Sequence, residues 1–261
     1  MKPIASRQNP KIKELRKLRR SRERAHRGLF LAEGEDLIAA AIAAGRPAVE
    51  GFRLAGTAIG GPDFEDVEAD VLASVSTLGS GTRAIGVYEQ RLAEPVGPLC
   101  VYLHGVADPG NVGTILRSAL AFGASCVALG PGCADPHSPK AVRASMGAIF
   151  AVTIARVDDL GELPGERWAL VAREGVPIDT LATNGPLTLL VGAEREGLPE
   201  TVVKACHQTT HIPIASESLN AAMAATVALY ETTRSSNGVP GRGARLGGLQ
   251  PPAPPSRVPT S

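Results

Sequence analysis

Leu99-Cys100-Val101-Tyr102-Leu103, then Asp108-Pro109-Gly110-Asn111-Val112-Gly113-Thr114-Ile115-Leu116-Arg117-Ser118-Ala119, decide the architecture of this 261-residue chain. The first five residues are continuously apolar, as a strand buried on both faces must be. Residues 111–122 then read as a helix whose apolar stripe is Ile115, Leu116, Ala119 and Leu120, ended by Gly123. The alternation continues downstream. Strands are expected over residues 126–129, 150–154, 168–172, 187–191 and 211–214, and helices over 138–146, 199–206 and 219–231. Apolar strands alternating with helices predict an α/β fold, a parallel sheet covered on both faces.

Upstream, residues 9–26 read as one basic helix with a thin apolar stripe of Ile12, Leu15 and Leu18, interrupted at Gly28. A strand at 29–31, an alanine-rich helix at 36–44 closed by Gly45, and strands at 49–54 and 84–88 suggest a small α/β domain. Ala93-Glu94-Pro95-Val96-Gly97-Pro98 reads as a linker, because two prolines and a glycine interrupt any regular element. The expected organisation is a small domain over residues 1–94, a larger one over 99–234, and a disordered tail over 235–261. That tail holds six prolines and five glycines without periodicity, and it is expected to be dispensable for activity.

The net charge of +1 hides an asymmetry. Residues 1–27 hold 11 Lys/Arg against 2 acids, residues 235–261 hold 3 Arg and no acid, and the middle holds 13 basic and 24 acidic residues. A basic arm on an acidic body points to a polyanionic partner. Aromatic residues make up only 3% of the chain, which argues against a platform of stacked aromatics for single-stranded nucleic acid. Cys100, Cys126, Cys133 and Cys206 form neither a disulfide framework nor a zinc-type spacing, and no metal is expected. Cys100 and Cys126, in apolar runs, are expected to be buried thiols. No apolar run is long enough to span a bilayer and no signal peptide is evident, so the expectation is a cytoplasmic protein without membrane contact. No G-x-G-x-x-G follows an early strand, which speaks against a dinucleotide oxidoreductase.

Three segments carry candidate chemistry. In the first, Gly110 and Gly113 permit close backbone approach and Asn111 is a plausible helix cap. Arg117 lies one turn after Gly113, where a small residue leaves room beside a guanidinium that could grip phosphate or ribose. In the second, Leu190-Val191-Gly192-Ala193-Glu194-Arg195-Glu196-Gly197-Leu198, a strand runs into a glycine loop. Loops at the carboxyl ends of parallel strands are the usual ligand sites of such sheets. Glu194 could hydrogen-bond a ribose hydroxyl, although acids in such loops are often only solvated. In the third, Ile212-Pro213-Ile214 ends a strand and Ser216 and Ser218 precede a helix start. Ser218 could be no more than a cap. Asn220 is expected inside the alanine-rich helix, which disfavours it slightly.

Together the three segments resemble the signature motifs of the SpoU (TrmH-type) RNA ribose 2′-O-methyltransferases. The resemblance implies a trefoil-knotted α/β fold, whereas physical rules alone predict an unknotted sheet. It also implies a homodimer with the site near the interface, S-adenosylmethionine as cofactor, and methyl transfer to a ribose 2′-oxygen of RNA. It assigns Leu190, Gly192, Gly197, Ile212, Ile214 and Leu219 to cofactor contacts. It assigns Asn111, Arg117, Glu194, Ser218 and Asn220 to catalysis and ribose positioning. A guanidinium stays protonated in proteins, so Arg117 suits a phosphate clamp better than a general base. Two departures from the family pattern are Arg195, where glycine is common, and Ala221-Ala222-Met223 after Ser-Leu-Asn. Neither removes a catalytic group.

Ser6-Arg7-Gln8-Asn9-Pro10-Lys11-Ile12-Lys13 and Phe30-Leu31-Ala32-Glu33-Gly34 resemble the start of the substrate-binding domain of the ribosomal-RNA members. Lys13, Arg16, Arg19, Arg20 and Arg24 would then supply phosphate contacts, which position RNA without reading its sequence. Ribosomal RNA is therefore the expected substrate. The alternatives are transfer RNA, or an RNA-binding module that has lost its chemistry.

Overall fold

The computed structural model describes residues 2–61, 63–77, 81–180, 185–215 and 218–237. The expected tail beyond residue 237, and Ser216, lie outside the described residues.

The N-terminal part runs α1 (Pro10–Lys17), α2 (Ser21–Arg27), β1 (Leu29–Glu33), α3 (Glu35–Ala43), β2 (Glu50–Leu54), β3 (Phe64–Val67), α4 (Ala69–Ala73) and β4 (Ala84–Glu89). Its sheet has the order β1-β4-β2-β3, with β4 antiparallel to both neighbours and β2 parallel to β3. Ile12, Leu15 and Leu18 are buried as expected, against Leu31, Phe52 and Ile85. The single helix expected over residues 9–26 is instead two. Arg24 Nη1 donates to the carbonyls of Leu18 and Arg19, which a continuous helix would pair with backbone amides four residues on. β3 and α4 were not anticipated: Phe-Glu-Asp-Val is half acidic and α4 spans five residues.

The C-terminal part runs β5 (Leu99–Leu103), α5 (Pro109–Ala121), β6 (Cys126–Leu129), α6 (Pro139–Ala144), β7 (Thr153–Arg156), β8 (Glu166–Val171), β9 (Val176–Pro177), β10 (Leu187–Val191), α7 (Glu200–Lys204), β11 (Gln208–His211) and α8 (Ala221–Asn237). The sheet is seven-stranded, ordered β7-β6-β5-β10-β8-β11-β9, and every described pairing is parallel. Side chains of alternate residues feed two apolar layers. Val101, Leu103, Leu189 and Val191 pack under α5 and α8, while Cys100, Tyr102 and Leu190 pack with Leu198 and Val202 of the α7 side. Cys100 and Cys126 are register partners in β5 and β6, both buried and free. Val112 takes the buried place expected of Leu120, which is 42% exposed.

Two strand registers differ from expectation. Residues 148–150 form a 3-10 turn that directs Phe150 onto Phe30 and Tyr88, so β7 begins only at Thr153. The last long strand ends at His211 because Pro213 has no N–H to give the ladder. Ile212 and Ile214 are thereby left in the following loop.

Candidate active site

Three loops meet at the carboxyl ends of β8, β10 and β11. They enclose a cleft of about 360 Å³ lined by Leu170, Val171, Ala172, Val191 to Leu198, Ile212, Ile214, Ser218, Leu219, Ala221 and Ala224. The loop after β10 closes on itself, with Ala193 and Gly197 exchanging backbone hydrogen bonds of 3.1 and 3.0 Å. A Cβ on Gly192 would sit 2.2 Å from the Gly197 carbonyl carbon, and Gly197 itself has φ +67°. Both glycines are therefore required by the backbone path.

At the rim, side chains from all three motifs join. Asn111 Nδ2 donates to Glu194 Oε1 at 2.5 Å, and Asn220 Nδ2 donates to Asn111 Oδ1 at 3.1 Å. Asn220 is not inside the helix, as expected, but immediately before it. Its Oδ1 accepts the amides of Ala222 and Met223, so it caps α8 and reaches Asn111 with its other end. The cap of α5 is Asp108 rather than Asn111. Asp108 Oδ1 accepts from the amides of Gly110 and Asn111, which leaves the Asn111 side chain free to reach across. Lys140 donates to Asp108 Oδ2 at 2.7 Å, and that bond holds the Asp108 carboxyl below its ordinary range. Sequence reasoning missed Asp108 and Lys140 here; the Asp-Pro step that opens the helix was the available signal.

Of the expected cofactor contacts, Gly192, Gly197, Ile212, Ile214 and Leu219 line the cleft, and so does Ser218. Leu190 does not. The strand alternation turns it to the other face of the sheet, where it is fully buried, and Val191 takes its place. Leu170, Val171 and Ala172 were not anticipated as walls; the carboxyl end of β8 was the signal for them. Arg117 stands outside the cleft, exposed on α5, and makes no hydrogen bond or ion pair among the described residues. Gly113 does not make room for it. A Cβ there would lie 2.3 Å from the Ala141 carbonyl oxygen, so the glycine lets α6 pack onto α5.

In the basic arm, Lys13, Arg19 and Arg20 are exposed and make no ion pair among the described residues. Arg16 is half-buried and donates to Arg7 O and Ser74 Oγ. Arg24 departs from expectation. It is 3% exposed and ion-paired to Asp135, so it cannot present its charge to a surface ligand. Among the described residues no cluster of His, Cys, Asp and Glu could hold a metal, and no helix is long and apolar enough to cross a membrane.

Residues 98–230 match the model of the SpoU rRNA methylase family, and residues 9–86 match an MRM3-like substrate-binding domain. The chain belongs to the SpoU rRNA methylase family. It is 32% identical to an uncharacterized tRNA/rRNA methyltransferase of Synechocystis, over 88% of this chain and 93% of that one. It is 28% identical to the 23S rRNA (guanosine(2553)-2′-O)-methyltransferase of Bacillus subtilis, over 88% of this chain and 98% of that one. A crystal structure of an AdoMet-bound rRNA methyltransferase from Sinorhizobium meliloti superimposes with a TM-score of 0.80 at 30% identity, covering 89% of this chain and 97% of that one. As a SpoU family member, the protein is an RNA methyltransferase that uses S-adenosylmethionine.

Proposed function

We propose that this chain methylates a ribose 2′-hydroxyl of ribosomal RNA. The observation that carries this reading is the Glu194–Asn111–Asn220 chain at the rim of the cleft. The cleft fits the cofactor by its own chemistry. Leu170, Val191, Leu198 and Ile212 offer apolar walls for an adenine, and the loop backbones offer polar groups beside them. When bound, S-adenosylmethionine supplies an electrophilic methyl on a sulfonium. Gly192, Gly197, Ile212, Ile214 and Leu219 would hold it.

Asn111 is fixed at both ends of its amide, yet one N–H and one carbonyl lone pair remain for a ribose hydroxyl. Glu194, exposed at the rim, orients that amide. Ser218, on the cleft wall, adds a hydroxyl to the same edge. Such tethering orients the hydroxyl for in-line transfer. The proton leaves to a phosphate oxygen or water. Arg117, exposed on α5 outside the cleft, clamps an RNA phosphate. No metal enters this scheme.

The reading includes a trefoil-knotted catalytic part over residues 99–234, a substrate-binding part over 1–94, and a homodimer in the cytoplasm. Supporting the dimer, α5 and α8 leave Leu120, Met223 and Tyr230 exposed at 42%, 59% and 49%, with Leu120 one turn from Arg117. The substrate-binding match over residues 9–86 favours ribosomal over transfer RNA. Calorimetric titration of the protein with S-adenosylmethionine tests the site. Stoichiometric binding that is weakened in Gly192→Ala is expected, and no binding by the native chain would refute it.

A further inference from the structure

Arg24 is the one arginine of the basic arm that is buried. Its Nε and Nη2 donate to Asp135 Oδ2 at 3.0 and 2.7 Å, and its Nη1 donates to Leu18 O at 3.1 Å and Arg19 O at 2.8 Å. One guanidinium thus ties the corner between α1 and α2 to the loop between β6 and α6 in the other half of the chain. That loop runs into α6, which packs on α5. The Asp135 carbonyl accepts from the Ser138 amide, Ser138 Oγ caps α6, and the Ala141 carbonyl of α6 abuts Gly113 on α5, two residues from Asn111. Around this pair the two halves share an aromatic seam of Phe30, Tyr88, His137 and Phe150, with ring centroids 4.8–5.9 Å apart. The corner itself carries Arg19 and Arg20 facing solvent.

We propose that Arg24 and Asp135 are positioning residues for the RNA: their ion pair sets the basic corner at a fixed place relative to Asn111. Phosphates held at Arg19 and Arg20 and the ribose at the cleft rim then belong to one rigid frame. A pair whose guanidinium is buried and makes two further hydrogen bonds is suited to this, since breaking it leaves an uncompensated charge and a free corner. Arg24 touches no substrate; it acts through the exposed arginines. The inference rests on the RNA-methyltransferase reading above.

The test compares native protein, Arg24→Met and Asp135→Asn, the second keeping an acceptor oxygen should the first fail to fold. Labelled S-adenosylmethionine, full-length ribosomal RNA and a salt series of RNA-binding titrations are the probes. The expected result is a kcat lower by about ten- to a hundredfold from misplacement alone, with KM changed far less. Cofactor affinity and the salt slope of RNA binding stay native, because the phosphate-facing arginines remain. A salt slope reduced by about one would mean that Arg24 itself contacts a phosphate, overturning the proposal. Native kcat in both variants, or cofactor binding lost in parallel with activity, would overturn it too. If the native protein methylates no RNA, it is the underlying functional reading that fails.

Discussion

Asn111 and Glu194, 83 residues apart in sequence, share a 2.5 Å hydrogen bond across the mouth of the cleft. That bond links the helix after β5 to the loop after β10, two strands adjacent in the sheet. It joins an amide that can bind a ribose hydroxyl to a carboxylate that fixes its orientation. Glu194→Gln keeps the shape and loses the charge. It is expected to lower methylation by about tenfold, because a charged acceptor holds the Asn111 amide more firmly than a neutral one, with thermal stability unchanged because the side chain is exposed. Steady-state rates and a melting curve measured on the same preparation check both halves.

Gly192→Ala is expected to deform the loop, because the new methyl would meet the Gly197 carbonyl carbon at 2.2 Å. Affinity for S-adenosylmethionine should fall by at least about tenfold, each such step being ~1.4 kcal/mol. Gly185→Ala, with nothing within 4 Å of its Cβ among the described residues and far from the cleft lining, is the control that should leave affinity intact.

Arg117→Ala is expected to leave folding within about 0.5 kcal/mol of native, as surface substitutions do, since Arg117 is exposed and makes no hydrogen bond or ion pair among the described residues. Its methylation rate should fall by about a hundredfold through loss of the phosphate clamp that positions the RNA. A native rate would remove Arg117 from the catalytic set.

His137 gives a pH dependence of stability. Burial pushes its imidazole down to about 4; Asp135 opposes the shift, while Arg156, Arg24 and Arg46 reinforce it. The unfolded chain takes up a proton near pH 6.5 but the folded one does not until about pH 4, so stability is full above the upper value and falls as pH drops through that window. Denaturant melts at pH 7 and pH 5 should show the loss, and His137→Phe should flatten that part of the profile.

Much of this was legible in the chain. The five-residue apolar strands and the glycine loop at 192–197 announced a parallel sheet with ligands at its carboxyl ends. The contacts between distant segments were not. Nothing local distinguishes Arg24 from Arg19 or Arg20, because burial of Arg24 depends on Asp135, 111 residues away. Asn220 reads as a misplaced helix residue until the helix is seen to begin one residue later. Leu190 and Val191 differ only in strand phase, which is fixed by pairing with β5 and β8. Pro213 marked the end of the last long strand, yet the apolar character of Ile212 and Ile214 outweighed it in the sequence reading.

Incubating the native chain with unmodified ribosomal RNA, transfer RNA and methyl-labelled S-adenosylmethionine, then digesting each RNA to nucleosides for mass spectrometry, tests the central claim most directly. A labelled 2′-O-methylnucleoside in the ribosomal fraction is the predicted result. Label on a base, or label confined to transfer RNA, would contradict it.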